Sequence, residues 1–288
     1  MPGMTVIVPA SNEAALIGRC LEAMLASEPK PGAGSGSIPL PVPVEVIVAA
    51  NGCEDATVAT ARAYAPAFER MGWDFRVLEL GRVGKMGALN AADAEARFGS
   101  RVYVDADVVV SPPLLDQIGR VLRIARPAYA SGRVRIAPMR DGISRLYART
   151  YERVPFMAEG VPGCGFFAVN AAGRRRWQAW PDIISDDTFA RLSFTPQERV
   201  GVTASYEWPL VEGWGNLVRV RARQDAGVRE VRRLFPELLK NDDNPKIGII
   251  GKLALFLRNP PSFLTYAAVK TAAKLRGRKA RGEWVRGR

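Results

Sequence analysis

The chain of 288 residues contains no histidine. That absence removes Ser-His-Asp triads, histidine-ligated metals and imidazole proton transfer together, and leaves carboxylates to carry any acid–base chemistry. Cysteine is scarce: Cys20, Cys53 and Cys164 are far apart and none forms a Cys-x-x-Cys pair, so neither a disulfide framework nor a zinc site is expected. Reduced thiols suit a cytoplasmic location. Long apolar runs are also missing. The longest, Ile247 to Leu257, spans eleven residues and contains Lys252, too short to cross a bilayer. No basic stretch followed by a long apolar run opens the sequence, so no signal peptide is read.

What is present is globular in kind. Hydrophobic residues make up 48% and charged residues 24%, as in soluble domains, and the length suits one large domain or two small ones. The formal charge of +12 is unevenly placed: residues 246–288 hold eleven Lys or Arg and one acid, Glu283, a net of 11 − 1 = +10, leaving 12 − 10 = +2 for the body. A nearly neutral body without a basic patch interleaved with aromatics argues against nucleic acid as a partner.

Apolar runs at Thr5–Pro9, Val44–Val48, Arg76–Leu80 and Val102–Val104 predict strands. Between them, helices are predicted from Glu13 to Leu25, from Ala56 to Arg70 and from Lys85 to Phe98, with Asn12 standing before the first. Residues 28–43, with five prolines and three glycines, read as an irregular loop. The alternation predicts an α/β fold with a mostly parallel, Rossmann-like sheet, in which ligands bind beyond the carboxyl ends of the strands. Further on, strands are expected at 129–136 and 200–205, helices at 144–157 and 226–239, and a Gly-rich loop at 160–169. Ser185-Asp186-Asp187-Thr188 can cap a short helix through Leu192.

Four polar clusters follow strand ends: Ser11-Asn12-Glu13, Asn51 to Asp55, Gly84-Lys85, and Asp105-Ala106-Asp107. A strand ending in Asp-x-Asp presents hard oxygen ligands suited to Mg²⁺ or Mn²⁺ and a substrate diphosphate. With 13 aspartates in the chain, about 0.6 such triplets arise by chance, so its surroundings decide its meaning.

The ordered series Val8-Pro-Ala-Ser-Asn-Glu13, Asn51-Gly-Cys-Glu-Asp-Ala-Thr57, Gly84-Lys-Met-Gly-Ala-Leu-Asn90, Asp105-Ala-Asp107, Gly163-Cys-Gly165 and Asp186-Asp187 resembles family 2 glycosyltransferases of GT-A fold. The resemblance covers residues 4 to about 240. It implies transfer of a sugar from a UDP- or GDP-type donor to an acceptor hydroxyl, with inversion and with Mn²⁺ or Mg²⁺. It divides the chain into a catalytic domain, 1–240, with a nucleotide-binding half at 1–110 and an acceptor-binding half at 111–240, and a basic helical tail, 241–288.

The resemblance also assigns roles. Asp107 binds the metal, and Asp105 contacts the ribose or the metal's waters. The donor is held by Pro9, Ala10, Asn12 and Glu13, by Asn51 and Asp55, and by Lys85, Asp105 and Ala106. Arg219, Arg221 and Arg223, alternating on a possible strand, share one face; Arg223 is assigned to the diphosphate, though nothing separates it from the other two. Asp187 fills the position of the base and Asp186 stands beside it where Glu is more usual. Gly163, Cys164 and Gly165 line the acceptor site. Where the family often has an acidic pair this chain has Ala50-Asn51, so the Asn51 amide oxygen is expected to meet a base N–H. The Gln-x-x-Arg-Trp motif of processive synthases is absent, which favours a single-sugar enzyme, in polysaccharide or glycolipid assembly.

Plainer readings accompany these. Asp105 and Asp107 can be a solvated turn, Asp186 and Asp187 a helix cap, and Glu13 and Asp55 helix-start acids. Asp242-Asp243 reads as an exposed turn. Trp177, Trp180, Trp208 and Trp214 can stack on sugars or fill core. The tail can lie on an anionic inner membrane face near a lipid-linked acceptor, pack on the body, or be disordered. Two other functions stay open: a silent scaffold or binding module, and a sugar nucleotidylyltransferase, which the glycine-free Pro9–Glu13 loop disfavours.

Overall fold

Hydrogen bonding between strands follows the apolar runs. The computed structural model describes residues 3–27, 42–245 and 247–279. Its first four strands, β1 (Met4–Ala10), β2 (Val44–Asn51), β3 (Asp74–Leu80) and β4 (Ser100–Val104), are parallel in the order β3-β2-β1-β4. Successive side chains point to opposite faces. Met4, Val6, Val8, Val44, Val46 and Val48 enter one apolar layer, with Ile7, Ile47 and Ala49 in the other. Burial on both faces is why these strands read as continuous apolar runs rather than alternating ones.

Helices cover both faces. On the first lie α1 (Ile17–Leu25), α2 (Thr57–Arg62), α3 (Ala65–Arg70) and, after α4 (Gly84–Glu95) on the second face, α5 (Leu114–Leu122). The predicted helix 56–70 is in fact two, because Pro66 cannot donate within a continuous helix and starts α3 instead. The first helix begins at Ile17, not after Asn12. Asn12 adopts a left-handed φ of 57° and turns the chain.

Beyond β4 the sheet becomes mixed. Strands β5 (Val109–Val110), β6 (Tyr129–Ile136), β7 (Phe166–Val169) and β8 (Arg199–Trp208) extend the order to β3-β2-β1-β4-β7-β6-β8-β5. β4–β7, β6–β7 and β5–β8 are antiparallel, and β6–β8 is parallel. The α/β prediction therefore holds, with parallel pairing concentrated in the first half. The expected helix 144–157 is split by Pro155 into α6 (Gly142–Tyr151) and α7 (Pro155–Ala158); α8 (Ala171–Arg174) and α9 (Asp186–Leu192) follow.

The main departure is α10. It runs from Trp214 to Leu234, twelve residues earlier than the helix expected at 226, so Arg219, Arg221 and Arg223 lie on a helix and not on a strand. Residues two apart on a helix are about 200° apart, so the three do not share a face. The tail forms α11 (Ile249–Arg258) and α12 (Pro260–Lys279). Tyr266, Val269 and Ala273 of α12 are buried with Tyr147 and Tyr151 of α6 and Leu217 and Val218 of α10. Of the three readings of the tail, packing on the body describes α12. Among the described residues no helix is long and apolar enough to cross a membrane. Most of the predicted loop at 28–43 lies outside the described residues.

Candidate active site

Strand order places the site. The chain passes from β1 to β2 to β3 on one side and then adds β4 on the other side of β1, so the carboxyl ends of β1 and β4 border the crevice typical of open α/β sheets. Pro9 to Glu13 and Asp105 to Asp107 stand at that edge. A pocket lined by Gly99, Arg101, Arg174, Arg175 and Trp177 sits instead by the amino end of β4, and its Arg101 and Arg174 are already paired to Asp93.

The predicted clusters are tied together one after another. Glu54 N–H donates to Asn12 Oδ1 at 2.8 Å, Glu13 N–H to Thr57 Oγ1 at 2.7 Å and Ala14 N–H to Asp55 Oδ2 at 3.1 Å, fastening the loop after β1 to the loop after β2. Asp55 also accepts from Thr57, whose hydroxyl holds its carboxyl below the usual aspartate range. The helix-start reading of Asp55 thus describes its geometry, and Thr57, which sequence reasoning passed over, is the anchor between the loops. Asn51 Oδ1 accepts from Val83 N–H at 2.8 Å and Gly84 N–H at 3.1 Å. Both lone pairs of that oxygen serve the start of α4, a correction to the expectation that it meets a base N–H; the amide NH₂ remains as its donor.

Lys85 makes the next link. Its ammonium lies 2.9 Å from Asp105 Oδ1 and 3.0 Å from Asp186 Oδ2. Burial opposes the charged lysine, but Asp105 and Asp186 outweigh it and hold its pKa above the ordinary value. Asp105 N–H donates to Gly165 O at 2.8 Å, joining the Asp-x-Asp turn to the Gly163-Cys164-Gly165 loop. Glycine is required in that loop. Gly163 and Gly165 have φ of 71° and 68°, and a Cβ on Gly163 would stand 1.8 Å from the Tyr129 hydroxyl. Cys164 is buried, and burial, with Asp187 and Asp105 nearby, pushes its thiol pKa up, so it is inert as a nucleophile.

Asp186 and Asp187 open α9. Ser185 occupies the cap position, yet its hydroxyl makes no capping bond to the backbone and donates to Asp187 Oδ1 at 3.0 Å. Thr188 N–H donates to the same oxygen at 2.6 Å. Desolvation first, then the neighbouring Asp186 charge, raise the Asp187 pKa to about 6, with Lys85 pulling the other way. Such a group is a carboxylate at neutral pH while retaining basicity, as a general base needs. The segment before it is fixed by Glu230 of α10, which accepts from Ile184 N–H at 2.8 Å, and by Gly227, whose missing side chain admits Ser185. A glycine inside a helix was the one sequence signal of that contact.

The remaining assignments separate. Arg223 is exposed, Arg219 bonds Asn216, and Arg221 is wedged against Tyr151 and paired with Asp225, so α10 does not gather a diphosphate clamp from these three. Trp177 and Trp180 are core, and Trp214 is 42% exposed. Asp243 is not a plain turn residue: it pairs with the buried Arg191 and Arg199, clamping α9 to β8.

Asp105 and Asp107 fit a hard divalent cation by donor chemistry. No group of three or more His, Cys, Asp or Glu suited to a metal occurs among the described residues, and cations of this type are commonly held by one or two carboxylates, completed by water and substrate phosphate. The Asp105 and Asp107 charges both reach Cys20, whose thiol is pushed up first by burial and then by them, so the two acids act on one locality.

The model of glycosyl transferase family 2 matches residues 5–178. The chain belongs to that family. Its fold is similar to the mannosyltransferase PcManGT from Pyrobaculum calidifontis, solved in complex with GDP-Man and Mn²⁺, at 22% identity over 98% of this chain and 76% of that one, with a TM-score of 0.55. It is also similar to S. aureus TarS 1-349, at 14% identity over 99% and 95%, with a TM-score of 0.50. No curated protein matches the sequence. The family 2 chain is a glycosyltransferase with the GT-A arrangement of sheet and helices, and the sequence resemblance is thereby confirmed.

Proposed function

We propose that this glycosyltransferase moves a single sugar from a nucleoside diphosphate sugar, of UDP or GDP type, to an acceptor hydroxyl with inversion. The observation that carries the reading is the Lys85 bridge, in which one ammonium touches a carboxylate from the strand-end turn and another from α9. Residues 1–110 supply the nucleotide side and 111–240 the acceptor side. The structure of the mannosyltransferase with GDP-Man and Mn²⁺ supports a nucleotide-sugar donor and a divalent cation.

In this reading the loops at Pro9–Glu13 and Asn51–Asp55 receive base and ribose, with the Asn51 NH₂ as a donor. Asp107, with Asp105 beside it, would hold Mn²⁺ or Mg²⁺, which when bound supplies Lewis-acid stabilisation of the leaving diphosphate. Lys85 adds positive charge at the same edge and holds Asp105 and Asp186 in register. Asp187 accepts hydrogen bonds on Oδ1, and Oδ2 takes the acceptor hydroxyl proton. As the acceptor's oxygen, giving up that proton, bonds to the anomeric carbon, the C1–O bond on the opposite face breaks and its electron pair leaves with the diphosphate, inverting the centre.

A thermal-shift series of nucleoside diphosphates and their sugars, with and without Mn²⁺, tests the reading. One nucleotide is expected to raise the melting temperature, more so with Mn²⁺, since ligands of the native state stabilise it by mass action. Asp107→Ala should abolish the Mn²⁺ increment. No shift with any nucleotide at millimolar concentration would contradict the proposal.

A further inference from the structure

Helix α11 contributes no buried residue to the protein. Ile249 and Ile250 are each 85% exposed, Leu253 54% and Leu257 69%. At roughly 100° per residue these four fall within one arc of about 100°, with the exposed Lys252 about 60° to one side and Arg258 about 80° to the other. The helix is tied down at the edge of that arc: Phe256, about 20° from Ile249 on the Lys252 side, meets Phe263 of α12 edge to face at 5.9 Å, and α12 is buried against α6 and α10. The helix thus presents a strip of large aliphatic side chains outward.

We infer that α11 seats the protein on an anionic lipid surface. Charge argues for that occupant. Residues 247–279 contain seven Lys or Arg and no Asp or Glu, with Lys270, Lys274 and Arg276 of α12 exposed. An interfacial helix has this composition: aliphatic side chains in the acyl boundary, basic flanks among the headgroups, and no need for the length of a membrane span. Each basic residue near an anionic surface adds about 1 kcal/mol, or roughly fivefold in binding. A second copy of the chain is a poor fit. A ten-residue helix is about 15 Å long and falls well short of the ~800 Å² per partner of a stable interface, and two copies would bring like charges together.

Vesicle co-sedimentation of the full chain tests this, and it needs neither donor nor acceptor, so its outcome is independent of the transfer reading. Binding to phosphatidylglycerol-containing vesicles is expected to exceed binding to phosphatidylcholine alone by at least about tenfold. Ile249→Glu with Leu253→Glu should lower it at least about tenfold, and Lys252→Glu with Arg258→Glu about tenfold or more at low salt. Unchanged thermal unfolding is expected for both pairs, since neither alters a buried side chain. Undiminished binding by the Ile249→Glu, Leu253→Glu protein would overturn the proposal in favour of the basic tail acting alone. Failure to bind anionic vesicles, or a wild-type dimer that the same variant dissociates, would also overturn it.

Discussion

The carboxylates on the two sides of Lys85 occupy different surroundings. Asp105 is 35% exposed at the end of a strand, whereas Asp186 is 9% exposed at the start of α9 and crowds Asp187. On the strand-end side, loops are fastened by backbone N–H groups and the acids stay near solvent, where charge is inexpensive and a cation can be met. Across the lysine, desolvation and like charge push Asp187 upward to about 6. The same residue type thus meets two environments, hydrated on one side and desolvated on the other, which is the difference the two proposed roles call for.

The contrast is sharpest at Asp187. Asp187→Asn is expected to lower turnover about 10³-fold, within the range of a lost general base, with donor binding retained, as read by single-turnover transfer beside calorimetry. The same change should stabilise the fold. A raised folded pKa means the group's favourable contribution is complete below the unfolded value near 3.9 and is lost as pH rises through about 6. The variant's advantage in urea unfolding therefore opens between those pH values, reaching on the order of 1–3 kcal/mol above pH 6. Removing the bridge comes next. Lys85→Met should cost about 10²-fold in kcat/KM and move the pH midpoint of the rate upward, because the ammonium lowers the Asp187 pKa.

Smaller effects separate scaffold from chemistry. Asp243→Ala leaves buried Arg191 and Arg199 without their shared carboxylate. A loss of about 2 kcal/mol in denaturant unfolding is expected, allowing for the partial exposure of Asp243. Asp55→Ala removes one of the three ties between the loops after β1 and β2 and should cost a few tenths to about 1 kcal/mol, in the manner of a lost cap; if those loops hold the donor as proposed, its KM rises while kcat holds.

Legibility in the sequence followed the same division. The loops after β1, β2 and β4 were readable because buried parallel strands give unbroken apolar runs and the polar residues ending them stand out. Pro66 and Pro155 broke helices that periodicity alone ran together. Arg219-Val-Arg-Ala-Arg223 fits a two-residue period as well as a helix; what decides for α10 is long-range packing of Arg221 among Tyr147, Tyr151 and Tyr266, with Asp225 one turn on. Asn51 is a candidate site residue by sequence, but the use of its oxygen within the protein depends on where Val83 and Gly84 return in space. The Lys85 bridge joins residues 101 apart in sequence, a distance no local pattern carries. The tail reads from the sequence as basic and helical, but which part packs on the body depends on distant residues: α12 spends its apolar side on α6 and α10, while α11 keeps its own exposed.

The most direct measurement of the central claim is the pH dependence of kcat/KM for the donor, for the wild-type protein between pH 5 and 8 at fixed Mn²⁺, since kcat/KM reports the groups of the free enzyme. That constant is expected to rise about tenfold per unit below an apparent pKa near 6 and then level off, as Asp187 passes from acid to carboxylate. A rate independent of pH through that range, with Asp187→Asn as active as wild type, would contradict the account.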